Sequence, residues 1–295
     1  MKIAVMGAGA VGCFYGALLA QAGNEVVLIG RAPHVQAIQR DGLRLRTAAS
    51  DTHIAVAAST DAADLRGAAL VLCCVKSTDT VSAARAMAPH LDPTALILSL
   101  QNGVDNAQRL RELLRPAVGA AVVYVAVEMA GPGYVRHHGR GDLVIESAVA
   151  RPDVMQVFAQ AGIACRASDQ VLGELWGKLI INCAYNALSA ITQQVYGRLW
   201  RADPMVAVMR HVVQECRDVA RAAAIELPTD PWPEVEAIAT SMRDQLSSTA
   251  HDLARRRPTE IDHLNGYIVT LGARLGVATP VNQALYALVR QMATA

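Results

Sequence analysis

The run Gly7-Ala8-Gly9-Ala10-Val11-Gly12 constrains the fold of this chain more than any other feature. It matches G-x-G-x-x-G, and its context gives the match meaning. Residues 2–6 read as a short apolar strand. Residues 10–22 read as a helix that Gly23 is placed to stop. Strand, glycine turn and helix in that order open a dinucleotide-binding unit. The first glycine permits the tight turn, the second lets a pyrophosphate approach the backbone, and the third lets helix and strand pack closely. The helix N-terminus adds a favourable field for the anion. The plainer alternative is a tight strand–helix turn with no ligand.

A second strand, Val26–Ile29, refines the cofactor. NAD enzymes usually place Asp or Glu about 20 residues on, against the ribose 2′-hydroxyl. This strand instead ends in Ile29-Gly30-Arg31, without a carboxylate. An arginine can pair with a 2′-phosphate. The expected cofactor is therefore NADPH/NADP+, with Gly7, Ala8, Gly9, Ala10, Val11, Gly12 and Arg31 among its contacts.

Strand and helix signals alternate through the first half. Ala69–Val75 and Ala95–Leu100 are continuous apolar runs of strand length. Such runs suit parallel strands covered on both faces, and the alternation implies a doubly wound sheet. Short strands are expected around Tyr134–His137 and Asp142–Ile145, punctuated by Pro132-Gly133 and Gly139-Arg140-Gly141. From about Leu172 the pattern turns helical. Helices are expected over 172–192, 204–224 and 233–254. A fourth opens at Pro258 and runs to Gly276, and a last one is capped by Thr279 with Pro280 in its first turn. The expected fold class is α/β: a Rossmann-type domain over residues 1–169 and an all-helical domain over 170–295.

Polar residues follow two of the apolar runs. Val75 is followed by Lys76, and Leu100 by Gln101-Asn102-Gly103. Ligands of open parallel sheets bind beyond the carboxyl ends of the strands, so Lys76 and Asn102 could face the nicotinamide and its ribose. Ordinary loop polarity would look the same. On the helix over 172–192, Lys178, Asn182 and Asn186 recur every fourth residue. Each such step turns about 400°, so the three share a face. One lysine with two asparagines suits a wall that binds an oxyanion; a solvent-facing stripe is the alternative. Ser247-Ser248, Asp252 and Glu260 follow. A glutamate in a first helical turn is favourable for any helix, which gives Glu260 an ordinary explanation as well.

Composition narrows the classes. The formal net charge of +1 offers no electrostatic case for nucleic acid, and Arg255-Arg256-Arg257 is a short run that suits a solvated face. No apolar run reaches the roughly 18 residues of a membrane span. The start of the chain reads directly as a strand, so a cytoplasmic protein is expected. The six cysteines contain no C-x-x-C pair and read as buried reduced thiols. The eight histidines show no metal-ligand spacing, so no metal is expected. The Ala/Val-rich helices of the second half are compatible with a monomer or a homodimer.

These residues resemble the ketopantoate reductases (2-dehydropantoate 2-reductases) along nearly the whole chain. The resemblance rests on Gly7–Gly12, Arg31, Lys76 and Asn102-Gly103. It continues through Trp176-Gly177-Lys178-Leu179-Ile180-Ile181-Asn182-Cys183-Ala184-Tyr185-Asn186. It ends with Ser247-Ser248 and Asp252, Thr259-Glu260-Ile261-Asp262 and Asn265-Gly266. It implies a two-domain enzyme that reduces 2-dehydropantoate to (R)-pantoate with NADPH, a step toward pantothenate and coenzyme A. The resemblance makes Lys178 the proton donor. Asn102, Asn182, Asn186 and Ser248 become contacts to substrate or nicotinamide, and Glu260 an acidic residue where cofactor and substrate meet. Ala126 falls near the family's alanine contact to the cofactor.

Two positions depart from the family pattern. Tyr196 and Gln245 stand where asparagines often line the substrate side. A site built around a substrate hydroxyl discriminates strongly against its absence, so these departures bear on the substrate more than on the reaction. They keep open a second 2-oxo acid reading, a branched or aromatic acid as in D-mandelate dehydrogenases that look like this family. A dinucleotide-sensing protein without turnover is the reading from another class. The joint presence of Lys178 and Glu260 stands against it.

Overall fold

Ile3, Ala4 and Val5 are buried at the centre of the first strand, β1 (Lys2–Met6), and the rest of its sheet is assembled around them. The computed structural model describes residues 1–294. By internal contacts the chain divides into two units, Met1–Val171 and Leu172–Ala295.

The first unit runs β1, α1 (Ala10–Gln21), β2 (Glu25–Ile29), α2 (Ala32–Asp41), β3 (Leu43–Arg46), β4 (Asp51–Ile54) and β5 (Ala57–Ser59). It continues through β6 (Leu70–Cys73), α3 (Thr80–Met87), β7 (Leu96–Ser99), α4 (Asn106–Arg111), β8 (Ala117–Gly131), β9 (Tyr134–Glu146), α5 (Pro152–Gln160) and β10 (Cys165–Ser168). The strands form one ten-stranded sheet in the order β4-β3-β9-β8-β7-β6-β1-β2-β5, with β10 beside β9. From β5 to β8 every neighbouring pair is parallel. All four residues of β6 and of β7 are buried, as expected for strands covered on both faces.

The strand order reverses at β1. The chain passes from β1 to β2 on one side, and later places β6 on the other. Such a switch point leaves a crevice at the carboxyl ends of the strands, where open α/β sheets bind ligands.

The expected short strands near residues 134–145 are instead one continuous strand, β9, paired antiparallel with β8. Gly139 and Gly141 have φ of +155° and +151°, and Arg140 has φ +57°. These conformations put irregularities into the ladder, with register shifts near Val125 and Val127, but do not interrupt it. Gly141, which reads as punctuation, is a bulge residue that the ladder skips, while Gly139 stays paired with Ala126.

The second unit is helical: α6 (Val171–Thr192, which starts at the boundary), α7 (Tyr196–Trp200), α8 (Asp203–Ala222), α9 (Trp232–Ser241), α10 (Ser248–Ala254), α11 (Asn265–Leu275) and α12 (Pro280–Thr294). Two expected helices are corrected. The span 233–254 is split between α9 and α10. The carbonyls of Arg243 and Gln245, in the break, accept from the backbone amides of Gly197 (2.9 Å) and Tyr196 (3.0 Å) at the start of α7. The helix expected from Pro258 begins only at Asn265. A 3-10 turn at Ile261–His263 precedes it, and Leu264 (φ −113°, ψ −109°) separates the two.

The start of α12 shows how distant groups complete an end. Its amides at Val281 and Asn282 donate to the Glu215 carboxylate of α8, each at 2.9 Å. A carboxylate at a helix N-terminus satisfies orphan donors and complements the dipole. Glu215→Ala should lower stability by about 1–2 kcal/mol, the cost of a lost cap, seen as a reduced midpoint in urea unfolding. An unchanged midpoint would show that the amides find other acceptors.

All six cysteines are free thiols; Cys13, Cys73, Cys183 and Cys216 are buried, Cys74 and Cys165 half-buried. Burial raises the Cys13 and Cys73 thiols to about 12. Among the described residues no helix is long and apolar enough to cross a membrane.

Candidate active site

The glycine run lies at the switch point of the sheet. Gly7 has φ +114°, and a Cβ there would come within 2.7 Å of the Cys74 and Val75 backbone beyond β6. Only glycine permits this turn to pass so close to the neighbouring strand end. A Cβ on Gly12 would overlap the Gly7 carbonyl oxygen and lie 2.8 Å from Val5 Cγ1. Gly9 is different: a Cβ on it would meet nothing within 4 Å. Two of the glycines are therefore required by the protein's own packing, and the third borders open space.

Gly9 is also the N-cap of α1 and brings no side chain to the helix start. The Gly7 and Ala8 amides both donate to the Ile29 carbonyl at 2.9 Å. In the first turn, the amides of Ala10, Val11 and Gly12 have no acceptor within the helix geometry. Open space in front of such a terminus suits a pyrophosphate. The residues present fit a dinucleotide.

At the end of β2 the structure adds a steric reason that the sequence did not disclose. A Cβ on Gly30 would overlap the Cβ of Ala8, inside the glycine run. A carboxylate side chain cannot be seated there without moving that run. Arg31 follows, exposed, as the N-cap of α2.

Lys76 and Asn102 stand beyond adjacent parallel strands, β6 and β7, both half-buried. Lys76 is the N-cap of a 3-10 turn over Ser77–Asp79. The carbonyl of Asn102 accepts from Ser77 Oγ at 2.7 Å, so the two loops are joined directly. Ala126 lies in β8, half-buried, opposite Gly139 and next to a register shift. Asp105, just beyond Asn102, keeps Oδ1 buried with no hydrogen-bond partner.

In the second unit, α6 is 22 residues long and buried along most of its surface. From Glu174 to Asn182 the half-buried positions are Glu174, Gly177, Lys178, Ile181 and Asn182. Their spacing marks one stripe of the helix. Lys178 and Asn182 share this stripe. Asn186, one turn on, is only 4% exposed, so the three are graded in depth.

Ser248 is exposed at the first position of α10. Its neighbour Ser247, which carried no separate role in the sequence reading, is fully buried and holds that end in place. The Ser247 hydroxyl accepts from the Ala250 amide (3.0 Å) and donates to the Asn186 carbonyl (3.2 Å), while its amide donates to Ser189 Oγ (3.1 Å). Ser247 thus fixes the start of α10 against α6. An S-S pair gives no local sign of which serine faces inward.

Glu260 is half-buried and precedes the 3-10 turn, its carbonyl accepting from the His263 amide at 2.9 Å. It is not in the first turn of an α-helix, so the helix-dipole explanation for a glutamate at this position falls away.

Tyr196 and Gln245 are one structural element, joined by the backbone bond at the start of α7. Tyr196 is 8% exposed and packs on Tyr185 of α6, with ring centroids 4.7 Å apart. The Tyr185 hydroxyl donates to the Val235 carbonyl at 2.7 Å. Burial pushes both phenols above their ordinary range.

Comparison with known proteins agrees with this layout. The family model described as ketopantoate reductase PanE/ApbA matches residues 3–149, and its C-terminal counterpart matches residues 170–293. A 2-dehydropantoate 2-reductase of Pyrococcus abyssi is 31% identical, over 98% of this chain and 97% of the relative. Among solved structures, a PanE/ApbA family ketopantoate reductase from Ralstonia eutropha JMP134 is 58% identical with a TM-score of 0.97, covering 100% of this chain and 99% of that one. A D-mandelate dehydrogenase solved with NADH and anilino(oxo)acetate is 26% identical with a TM-score of 0.92, again over 100% and 99%. With the dinucleotide cradle in one unit and the Lys178–Asn182 stripe in the other, this chain belongs to the ketopantoate reductase family.

Proposed function

We propose that this protein reduces 2-dehydropantoate to (R)-pantoate with NADPH, a step toward pantothenate and coenzyme A. The observation that carries the reading is the half-buried stripe of α6. It presents Lys178 and Asn182 from a largely buried helix, in a chain that the family models cover almost end to end.

In this reading the Rossmann unit holds the cofactor through the Gly7–Gly12 run, Arg31, Lys76, Asn102 and Ala126. When bound, NADPH supplies a hydride to the ketone carbon. Negative charge then develops on the ketone oxygen, which Lys178 stabilises and protonates as general acid. Asn102, Asn182 and Asn186 orient the keto acid, and Ser248 hydrogen-bonds its carboxylate. Glu260 holds the nicotinamide ribose, a substrate hydroxyl or the Lys178 ammonium.

Preference for NADPH is supported by the strand end at Gly30 and Arg31. The overlap with Ala8 keeps a ribose-binding carboxylate out of position 30, while Arg31 is exposed beside it. Arg31→Ala should raise the KM for NADPH about tenfold, the equivalent of one charge-assisted contact, and leave the KM for NADH unchanged. Gly30→Asp should weaken both cofactors without creating an NADH enzyme. An Arg31→Ala variant with unaltered NADPH kinetics would remove the arginine from phosphate recognition.

A second reading is favoured by one observation. Tyr196 packs its ring on Tyr185, on the helix that carries Lys178. An aromatic wall in place of an amide suits an aromatic 2-oxo acid, and the mandelate dehydrogenase shares the fold over its full length. A panel of 2-oxo acids assayed with NADPH tests both readings. A preference for acids that lack the 4-hydroxyl would overturn the pantoate assignment.

A further inference from the structure

The loops that carry Lys76 and Asn102 are joined by a hydrogen-bonded relay that neither the reaction nor the cofactor cradle requires. Its members are Ser77, Thr80, Ser99, Gln101 and Asn106, at 0%, 0%, 4%, 5% and 2% exposure. Five polar side chains buried together stabilise a fold only if each is satisfied, and then in one arrangement.

The proton positions follow from the partners. Ser99 Oγ donates to Gln101 Oε1 at 3.0 Å, and Gln101 Nε2 donates to Thr80 Oγ1 at 2.7 Å. Thr80 Oγ1 lies 2.8 Å from Asn106 Oδ1 and 3.0 Å from the Ser77 carbonyl. Arg109 Nη1 is shared between the same two acceptors, at 2.9 Å from the Ser77 carbonyl and 3.2 Å from Asn106 Oδ1, and of the two the threonine hydroxyl lies closer to Asn106 Oδ1. Asn106 Nδ2 then spends both protons at the other end. One goes to the Asn102 carbonyl at 2.6 Å, the other to Ser77 Oγ at 3.0 Å. Ser77 Oγ in turn donates to the same Asn102 carbonyl at 2.7 Å. The relay runs one way, from β7 through the start of α3 to the residue proposed to meet the nicotinamide.

Its consequence is geometric. Ser77 directly follows Lys76, and the Asn102 carbonyl belongs to the second proposed contact. The Asn106 amide bridges the two. Bound polar groups must be held to within fractions of an ångström to be productive. A loop after a strand is by itself the most mobile part of an α/β fold.

We propose that Asn106 is a positioning residue, whose amide fixes the separation of Lys76 and Asn102 and so sets the affinity for NADPH. Thr80 and Gln101 orient that amide. This rests on the proposed function, because it takes Lys76 and Asn102 as cofactor contacts.

The test is a double-mutant cycle on NADPH binding to the full chain, followed by fluorescence of the reduced nicotinamide. Asn102→Ala should raise the Kd about tenfold and Asn106→Ala at least as much, since it loosens Lys76 as well; the double variant should be little worse than Asn106→Ala alone, because the side chain that Asn102→Ala removes is already misplaced. Thr80→Val probes the link with a smaller change and should raise the Kd by several-fold, while Thr80→Ser, which keeps the hydroxyl, should bind as the unaltered protein does. If Asn106→Ala fails to fold, the threonine pair carries the decision. Additive losses in the cycle, or a Thr80→Val variant that binds NADPH normally, would overturn the positioning role. Should Asn102→Ala alone leave NADPH binding unchanged, the cofactor reading of Asn102 fails instead, and the two failures are told apart.

Discussion

Replacing Lys178 with alanine is expected to lower kcat at least about 100-fold, the lower end of what a positioned general acid contributes. Hydride arrival at a ketone carbon leaves charge on oxygen, and a group that both neutralises that charge and supplies a proton acts only in the transition state. Removing it should therefore lower kcat and kcat/KM together, with a smaller change in the KM for the keto acid. The fold should tolerate the change. Lys178 lies on the half-buried stripe of α6, away from the tightly packed face of Leu179, Ile180 and Cys183. A thermal midpoint close to that of the unaltered protein would separate lost chemistry from lost structure. Near-normal turnover would remove Lys178 from the proton-donor role.

The second large effect comes from a contrast within the glycine run. Gly9→Ala should lower the unfolding midpoint only by the small difference between glycine and alanine as an N-cap, since its Cβ meets nothing within 4 Å. It should nevertheless weaken NADPH binding by about 100-fold or more, since a methyl group there stands where a pyrophosphate must approach the backbone. Gly12→Ala should fail in both respects. Its Cβ overlaps the Gly7 carbonyl and crowds Val5 in β1, so strand and helix must separate, at about 1–3 kcal/mol. Isothermal titration with NADPH beside thermal unfolding reads both quantities. If Gly9→Ala bound NADPH as tightly as the parent, the cradle would not lie where the open space is.

How far these features could be read from sequence varies with the distance over which they are set. The strands β1, β2, β6 and β7 and the helix α6 follow from local pattern: apolar runs bounded by polar residues, or apolar spacing over many turns. The strand–turn–helix at Gly7–Gly12 is likewise a local matter. Elements ended by distant partners were not legible. The break between α9 and α10 exists because Arg243 and Gln245 serve the amides of α7, nearly fifty residues earlier, and nothing within 233–254 signals it. The start of α12 reads as a Thr-Pro cap, yet Glu215 takes the amides of Val281 and Asn282. Gly141 looks like a chain break because a bulge and a turn draw on the same residue type.

The candidate site shows the same division. Lys178, Asn182 and Asn186 could be placed on one helix face by counting, but their grading in depth could not. The closure of position 30 depends on Ala8, far along the chain. The role of Asn106 depends on Ser77 and Thr80, across the sheet edge. Tyr196 and Gln245 read as two separate departures, and the fold makes them a single feature.

The proposed reaction pairs NADPH with a hydroxylated branched 2-oxo acid. The most direct test is initial-rate oxidation of NADPH and of NADH by the purified protein, with 2-dehydropantoate and phenylglyoxylate as competing substrates. The kcat/KM should be higher for 2-dehydropantoate than for phenylglyoxylate, with NADPH used in preference to NADH. Faster reduction of phenylglyoxylate, or equal use of the two cofactors, would contradict the proposed reaction.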